Sequence, residues 1–388
     1  MRLVPFIAAI LLAACARADE INPDAAADAD ANANADADAP TGVDATVGAA
    51  CPDGQVATAI TAGDELTCTS VAGAAAAAVR SRCSVYLGHR DNCTGCTDAP
   101  AKWSASGTLA CTAGPGNLCV AAALDSPSAL VRLGTVDLDG NVNGDDKLYT
   151  TLHCLAEPST PSPAPCQAGW ALTGRSGDRW TCGSLAETAV EYLRSQCSIY
   201  LGWQDGCDGC TTPPTKWGRA SDTSCENGAG DNNTCTTATL GAETVRLFGL
   251  NTAGDVDGND KLHLALACAA TTISPPTRTQ TACPPGQFVR AIDADGFLEC
   301  VDPDAAVAAY VDTRCSLFFG WRDSCDACTA GPTKWGMLGP SSCTTSGGVD
   351  DTCTAMSLGG RTVQMYGLST DGNVNGDDTL YAGLRCDL

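Results

Sequence analysis

The stretch Cys83–Trp103, CSVYLGHRDNCTGCTDAPAKW, is written again as CSIYLGWQDGCDGCTTPPTKW at Cys197–Trp217 and as CSLFFGWRDSCDACTAGPTKW at Cys315–Trp335. Working outward from these stretches, each copy carries eight cysteines in one order. They are Cys51, Cys68, Cys83, Cys93, Cys96, Cys111, Cys119 and Cys154, then Cys166, Cys182, Cys197, Cys207, Cys210, Cys225, Cys235 and Cys268, then Cys283, Cys300, Cys315, Cys325, Cys328, Cys343, Cys353 and Cys386. Self-similarity on this scale is the signature of a repeated structural unit. The copies run over 51–154, 166–268 and 283–388, and the joints 155–165 and 269–282 are rich in Pro, Ser and Thr, a composition of semi-stiff linkers. Of the 25 cysteines in the 388 residues, Cys15 alone lies outside the copies.

An even cysteine set in every copy reads as a disulfide framework, which persists in an oxidising compartment. Zinc held by the C-x-x-C pairs, or redox chemistry there, is the weaker reading. Eight cysteines allow 105 pairings, and spacing supports only the first with the second and the sixth with the seventh. Each bond contributes ~2–4 kcal/mol, which offsets a core thinned by an aromatic content of 5%.

The elements follow in order. Cys283–Cys300 holds two strand-like runs around an Asp-Gly turn, a hairpin signal. A short helix comes next. Asp302 and Pro303 mark its first turn in the third copy, and Ser184 with Glu187 three residues on forms a capping box in the second. Ala189, Val190, Leu193 and Cys197 recur at helical spacing, and the first copy substitutes the run Ala74–Ala78. Strand-like segments such as 244–250 and 261–268 flank an acidic turn. The expected fold is therefore three tandem copies of a small disulfide-rich, mainly β module with one short helix each.

The formal charge is −23, from 45 acidic and 22 basic residues. That balance excludes nucleic acid as a partner and excludes docking on anionic lipid through charge. The apolar run Leu3–Ala14 is shorter than the ~20 residues a spanning helix needs. It ends Leu12-Ala13-Ala14-Cys15, which resembles the lipobox of bacterial lipoproteins. The resemblance implies that 1–14 is a signal peptide and that Cys15 carries diacylglycerol and further acyl chains such as palmitate. Ala16 rather than Asp after that cysteine resembles the signal for the outer membrane, with either face open. Residues 15–50 then form a tether, because their Ala/Asp/Asn repetition has almost nothing to bury.

The acidic turn is the first candidate site. Its oxygens come from Asp137, Asp139, Asn141, Asn143, Asp145 and Asp146, from Asp255, Asp257, Asn259 and Asp260, and from Asp371, Asn373, Asn375, Asp377 and Asp378. The D-x-N-x-N-G portion resembles EF-hand and dockerin loops, which implies Ca²⁺. The late bidentate Glu of those loops is missing, its place taken by Thr150 and Ala382, and Ala253 stands where the other copies have Asp139 and Asp371. The second reading is a plain hairpin turn, since Asn-Gly and Asp-Gly supply positive φ without metal.

The second candidate is aromatic and basic: Lys102/Trp103, Lys216/Trp217 and Lys334/Trp335, with Trp203 and Trp321 in a slot that holds His89 in the first copy. Exposed indoles can stack on sugar; enclosed ones are core. Catalysis has no support. His89, His153 and His263 do not recur, so no triad can be assembled three times. Asp91, Asp205 and Asp323 do recur and are expected to bond the cysteine turn. The expected function is a lipid-anchored, surface-exposed binding or adhesion protein, not an enzyme, for an extracellular glycan or protein. The alternative is a structural envelope spacer with no small-molecule ligand. A hydrolase with an unfamiliar site and a protease inhibitor are weaker readings.

Overall fold

The computed structural model describes residues 49–386, apart from short loop segments within that span. Ala45–Leu388 forms one compact unit, and the expected signal peptide, Cys15 and the tether up to residue 48 lie outside the described residues. The described part is mainly antiparallel β, with helices α1 (Val71–Arg82), α2 (Leu185–Gln196) and α3 (Asp304–Arg314). No helix among the described residues is long and apolar enough to cross a membrane.

Each cysteine-rich stretch opens with a hairpin: Gln55–Ile60 with Leu66–Ser70, Trp170–Ser176 with Arg179–Ser184, and Phe288–Ile292 with Leu298–Val301. A bulge falls at the same place in all three, between Ala57 and Ala59, Leu172 and Gly174, and Val289 and Ala291. Bridges Cys51–Cys68, Cys166–Cys182 and Cys283–Cys300 staple them. Their inner faces share one small core of Ala57, Leu172, Val289 and Leu298 among the cystines.

The helices start where the local chemistry satisfies their first N–H groups. Ser70 accepts from the Gly73 N–H and Ser184 from the Glu187 N–H, each at 3.2 Å. In the third stretch Pro303 stands at the cap rather than in the first turn, and the Asp302 carboxylate accepts from the Asp304 N–H at 2.9 Å. All three helices stop at a cysteine. The N–H of Cys83, Cys197 and Cys315 closes the last turn on Val79, Leu193 and Val311, and the chain leaves extended.

Three six-stranded sheets follow, and each draws on two stretches. The first combines Cys83–Arg90, Lys102–Ser106, Cys111–Ala113 and Lys147–Cys154 with Thr234–Leu240 and Glu243–Asn251 from the second stretch. The second combines Cys197–Gln204, Lys216–Ala220, Cys225–Asn227 and Lys261–Cys268 with Thr352–Leu358 and Arg361–Ser369. The third combines Cys315–Arg322, Lys334–Leu338, Cys343–Ser346 and Thr379–Cys386 with Cys119–Ala123 and Leu130–Asp137. The lending is cyclic: first to third, second to first, third to second. The junction registers are Phe248 with Thr150, Leu264 with Tyr366, and Ala382 with Gly134.

A lent pair stays attached to its own stretch as well. Bridges Cys111–Cys119, Cys225–Cys235 and Cys343–Cys353 hold it there. Phe248 lies flat on Gly218 and Tyr366 on Gly336, where an added Cβ would stand 1.9 Å from the ring. Only glycine permits that approach. The third bridge type, Cys83–Cys154, Cys197–Cys268 and Cys315–Cys386, joins the first long strand to the last. First-with-second and sixth-with-seventh pairing agrees with the spacing, whereas third-with-eighth needed the sheet. Cys93, Cys207 and Cys325 are disulfide-bonded too, which leaves these thiols neither zinc ligands nor free thiolates; Cys96, Cys210 and Cys328 lie outside the described residues. The main core gathers where α1, α2 and α3 meet. Val79, Leu193 and Val311 close there against Leu152, Leu266 and Leu384, leaving an apolar gap of about 10 Å³.

Candidate functional site

The acidic turns lie at the strand ends remote from the helices, since each final strand starts at Lys147, Lys261 or Thr379 and ends beside the helix-terminal cysteine. They are not hairpin turns. Leu130–Asp137 pairs with Thr379–Cys386, whereas Lys147–Cys154 pairs with Cys83–Arg90 and Glu243–Asn251, so the turn carries the chain from one sheet to another. A valine inside each turn explains how the three crossovers are held. Val142 N–H donates to Val374 C=O at 2.7 Å, Val374 N–H to Val256 C=O at 2.8 Å, and Val256 N–H to Val142 C=O at 2.7 Å. These bonds form a closed ring of three. The side chains are buried at 0–1% exposure, so water does not compete for the ring.

The last carboxylate of each turn reaches the cysteine loop. Asp146 accepts from the Asn92 N–H at 2.9 Å, Asp260 from the Gly206 N–H at 2.8 Å and Asp378 from the Ser324 N–H at 3.1 Å. The three donors all sit in the left-handed region, with φ of 56°, 59° and 53°. The recurrent aspartates also bond this turn, through its side chains: Asp91 accepts from the Asn92 side chain and Asp323 from the Ser324 hydroxyl. Burial pushes the Asp260 carboxyl up to about 6, against the pull of the Gly206 and Asp257 N–H groups. Tyr149 and Tyr381 tie down the same loops, donating to the carbonyls of Asp98 and Ala330 at 2.9 Å with their oxygens 3.3 Å from Cys93 and Cys325 Sγ. Burial pushes both phenols up to about 12. The second stretch has His263 at this place. It is fully buried, neither ring nitrogen has a hydrogen-bond partner, and desolvation followed by the Lys261 charge lowers it to about 3.

Ca²⁺ takes six to eight oxygens in a roomy cage. Asp137, Asp146, Asp260 and Asp378 are buried, and each accepts on a carboxylate oxygen from a protein donor, Thr379 Oγ1 in the case of Asp137 at 2.8 Å. Asn141 is exposed and Asp257 half-buried. Among the described residues no three acidic, histidine or cysteine side chains are grouped to hold a metal. Asp139, Asn143, Asp145, Asp255, Asn259, Asp371, Asn373, Asn375 and Asp377 lie outside the described residues.

The tryptophans are part of the packing. Trp203 is 3% exposed and Trp321 1%, as is His89 in the same slot, so these indoles present no face to a sugar. Trp103, Trp217 and Trp335 are half-buried and lie beside Tyr86, Tyr200 and Phe318, with ring centroids 5.2, 6.0 and 5.8 Å apart. Gly114 and Gly228 also lie against Trp103 and Trp217, where an added Cβ would stand 2.7 and 2.3 Å from the indole. Lys216 sits 5.9 Å over the Trp203 ring, Lys334 is buried, and Lys102 is half-buried. The axial valines were missed by sequence reasoning. Their signal was an apolar residue inside each otherwise polar turn.

One further ionic group joins two stretches. The Asp222 carboxylate lies 3.0 Å from Arg194 Nε and 3.9 Å from His153 Nδ1, and burial pushes it up to about 6. No protein-family model, curated protein or solved structure matches the chain.

Proposed function

We propose that the chain is one disulfide-stapled module used three times, carried on a lipid anchor at Cys15, and that it works outside the cytoplasm as a non-catalytic binding head. The disulfides support an extracellular setting. The observation that carries the reading is the ring of Val142, Val256 and Val374, which ties the three acidic turns to one another. Three equivalent weak contacts on one frame add by avidity. With −23 net charge and with Trp203 and Trp321 enclosed, the partner that suits this end is a basic protein surface rather than a stacked sugar.

The test uses the folded chain from Ala45 onward, immobilised, with outer-envelope proteins of neighbouring cells, cell-wall preparations and glycan arrays passed over it. Binding of basic proteins that weakens with salt and is lost in the combined Asp139→Asn, Asp255→Asn and Asp371→Asn variant supports the proposal. Binding that survives that variant refutes the loop end as the contact. Capture of nothing moves the spacer reading ahead, which the burial of Trp203 and Trp321 favours.

A further inference from the structure

We infer that the module is a self-complementary trimerisation unit, so that the partner each module recognises is another copy of itself and the linkers are dispensable once folding is complete. The inference rests on reading the chain as one module used three times and goes beyond it.

Two strand edges of each module are covered by its neighbours. One is the far side of its lent strand (Leu130–Asp137, Glu243–Asn251 or Arg361–Ser369), and the other is the far side of its final strand (Lys147–Cys154, Lys261–Cys268 or Thr379–Cys386). The edges meet at three junctions of four residue pairs each, in matching register: Asn251 opposite Lys147, Ser369 opposite Lys261, Asp137 opposite Thr379. Side chains seal the same places. Lys147 and Lys261 are fully buried and donate across the junction to Thr234 Oγ1 at 2.9 Å and Thr352 Oγ1 at 3.0 Å, while Thr379 Oγ1 donates to Asp137. Ser106 Oγ donates to the Ala382 carbonyl across the third-to-first junction at 2.8 Å.

An edge that differs from the edge it binds makes a head-to-tail contact, which runs on as a filament unless its rotation closes. Here it closes at three. The valine ring has the same logic, since each valine gives one bond to one neighbour and takes one from the other. Two modules would leave a donor, an acceptor and two strand edges open, and buried unpaired backbone groups are costly. The nine bridges seen between described cysteines all stay within a module.

The full chain is given protease recognition sequences after Thr160 and after Pro275, both exposed, and is cut at both. Sedimentation at micromolar and lower concentration is expected to match the uncut chain, while a denaturing gel without reductant shows three fragments. Departure of any fragment from the native particle overturns the inference. The unmodified chain supplies a second measurement that needs no insertion. With disulfides intact, guanidinium unfolding followed by tryptophan fluorescence and by circular dichroism is expected to give one coincident transition. Separate transitions for separate modules overturn it. Neither readout depends on what the acidic loops bind.

Discussion

Ser324 and Asn92 carry positive φ where the second stretch has Gly206. The left-handed region costs an ordinary L-residue ~1–2 kcal/mol, part of which glycine returns as unfolded-state entropy. Ser324→Gly is therefore expected to stabilise by about 0.5–1 kcal/mol, read as a higher guanidinium midpoint at unchanged slope; Asn92→Gly gains less, because asparagine tolerates this region. His263 allows a sharper experiment. Its imidazole stays neutral in the fold down to about 3, whereas the unfolded chain takes the proton at 6.5. Between those values the unfolded state binds more protons, so this group makes stability fall as pH drops, by ~1.4 kcal/mol per unit. Asp222, Asp260 and Asp304, raised to about 6, act in the opposite sense from pH 6 down to the ordinary carboxylate range. His263→Tyr installs the residue that Tyr149 and Tyr381 represent elsewhere. A Gly249-like neighbour is already present, because Gly367 faces His263 as Gly249 faces Tyr149. The variant is expected to melt higher at pH 7 and to lose less stability at pH 4.5. An unchanged pH dependence would show that His263 does not carry the acid sensitivity. None of this was legible beforehand: the histidine was visible as a departure from the repeat, but its burial was not.

At the scale of elements, local chemistry was readable wherever it acts over a few residues. The Ser184–Glu187 cap and the Cys283–Cys300 hairpin follow from hydrogen bonds and turn residues adjacent in the chain. Helix α1 is the poorest of the three in large side chains, being alanine-rich, and it carries Gly73 in its first turn. A Cβ there meets nothing closer than 3.7 Å, so Gly73→Ala is expected to stabilise by ~0.5–1 kcal/mol, measured as a rise in melting temperature. The acidic turn failed as a hairpin for a reason that propensity does not contain. Asn-Gly and Asp-Gly permit a reversal but do not oblige the flanking strands to pair, and a valine pulled to the axis sends the chain onward to another sheet.

At the scale of the whole molecule, the ring of valines makes distant loops depend on one another. Val374→Asp places a charge at a fully buried position shared by three crossovers, and a loss of at least ~3 kcal/mol is expected, seen in denaturant unfolding of the intact chain. A loss near that of an exposed substitution would mean the ring contributes little. The calcium question is also settled at this scale, by melting the chain in EDTA and in millimolar Ca²⁺. Identical melts are expected, since protein donors occupy the inner carboxylates; a saturable rise would show that the native state binds the ion.

The text repeated around Cys83, Cys197 and Cys315, with the eight-cysteine order it sits in, determined that one set of elements recurs in order, that the first cysteine pairs with the second and the sixth with the seventh, and, through the Ser184–Glu187 spacing, where a helix begins. Those features rest on short-range chemistry that side-chain identity encodes. Only the tertiary structure decided which strand edges meet, that Leu130–Asp137 pairs with Thr379–Cys386, and that Trp203 and Trp321 are enclosed. The physical reason lies in the backbone. The alternation of side chains specifies which face of a strand is buried, but the edge hydrogen bonds are made by N–H and C=O groups that every residue but proline shares. A strand pattern therefore names its face and leaves its neighbour to the packing of the whole.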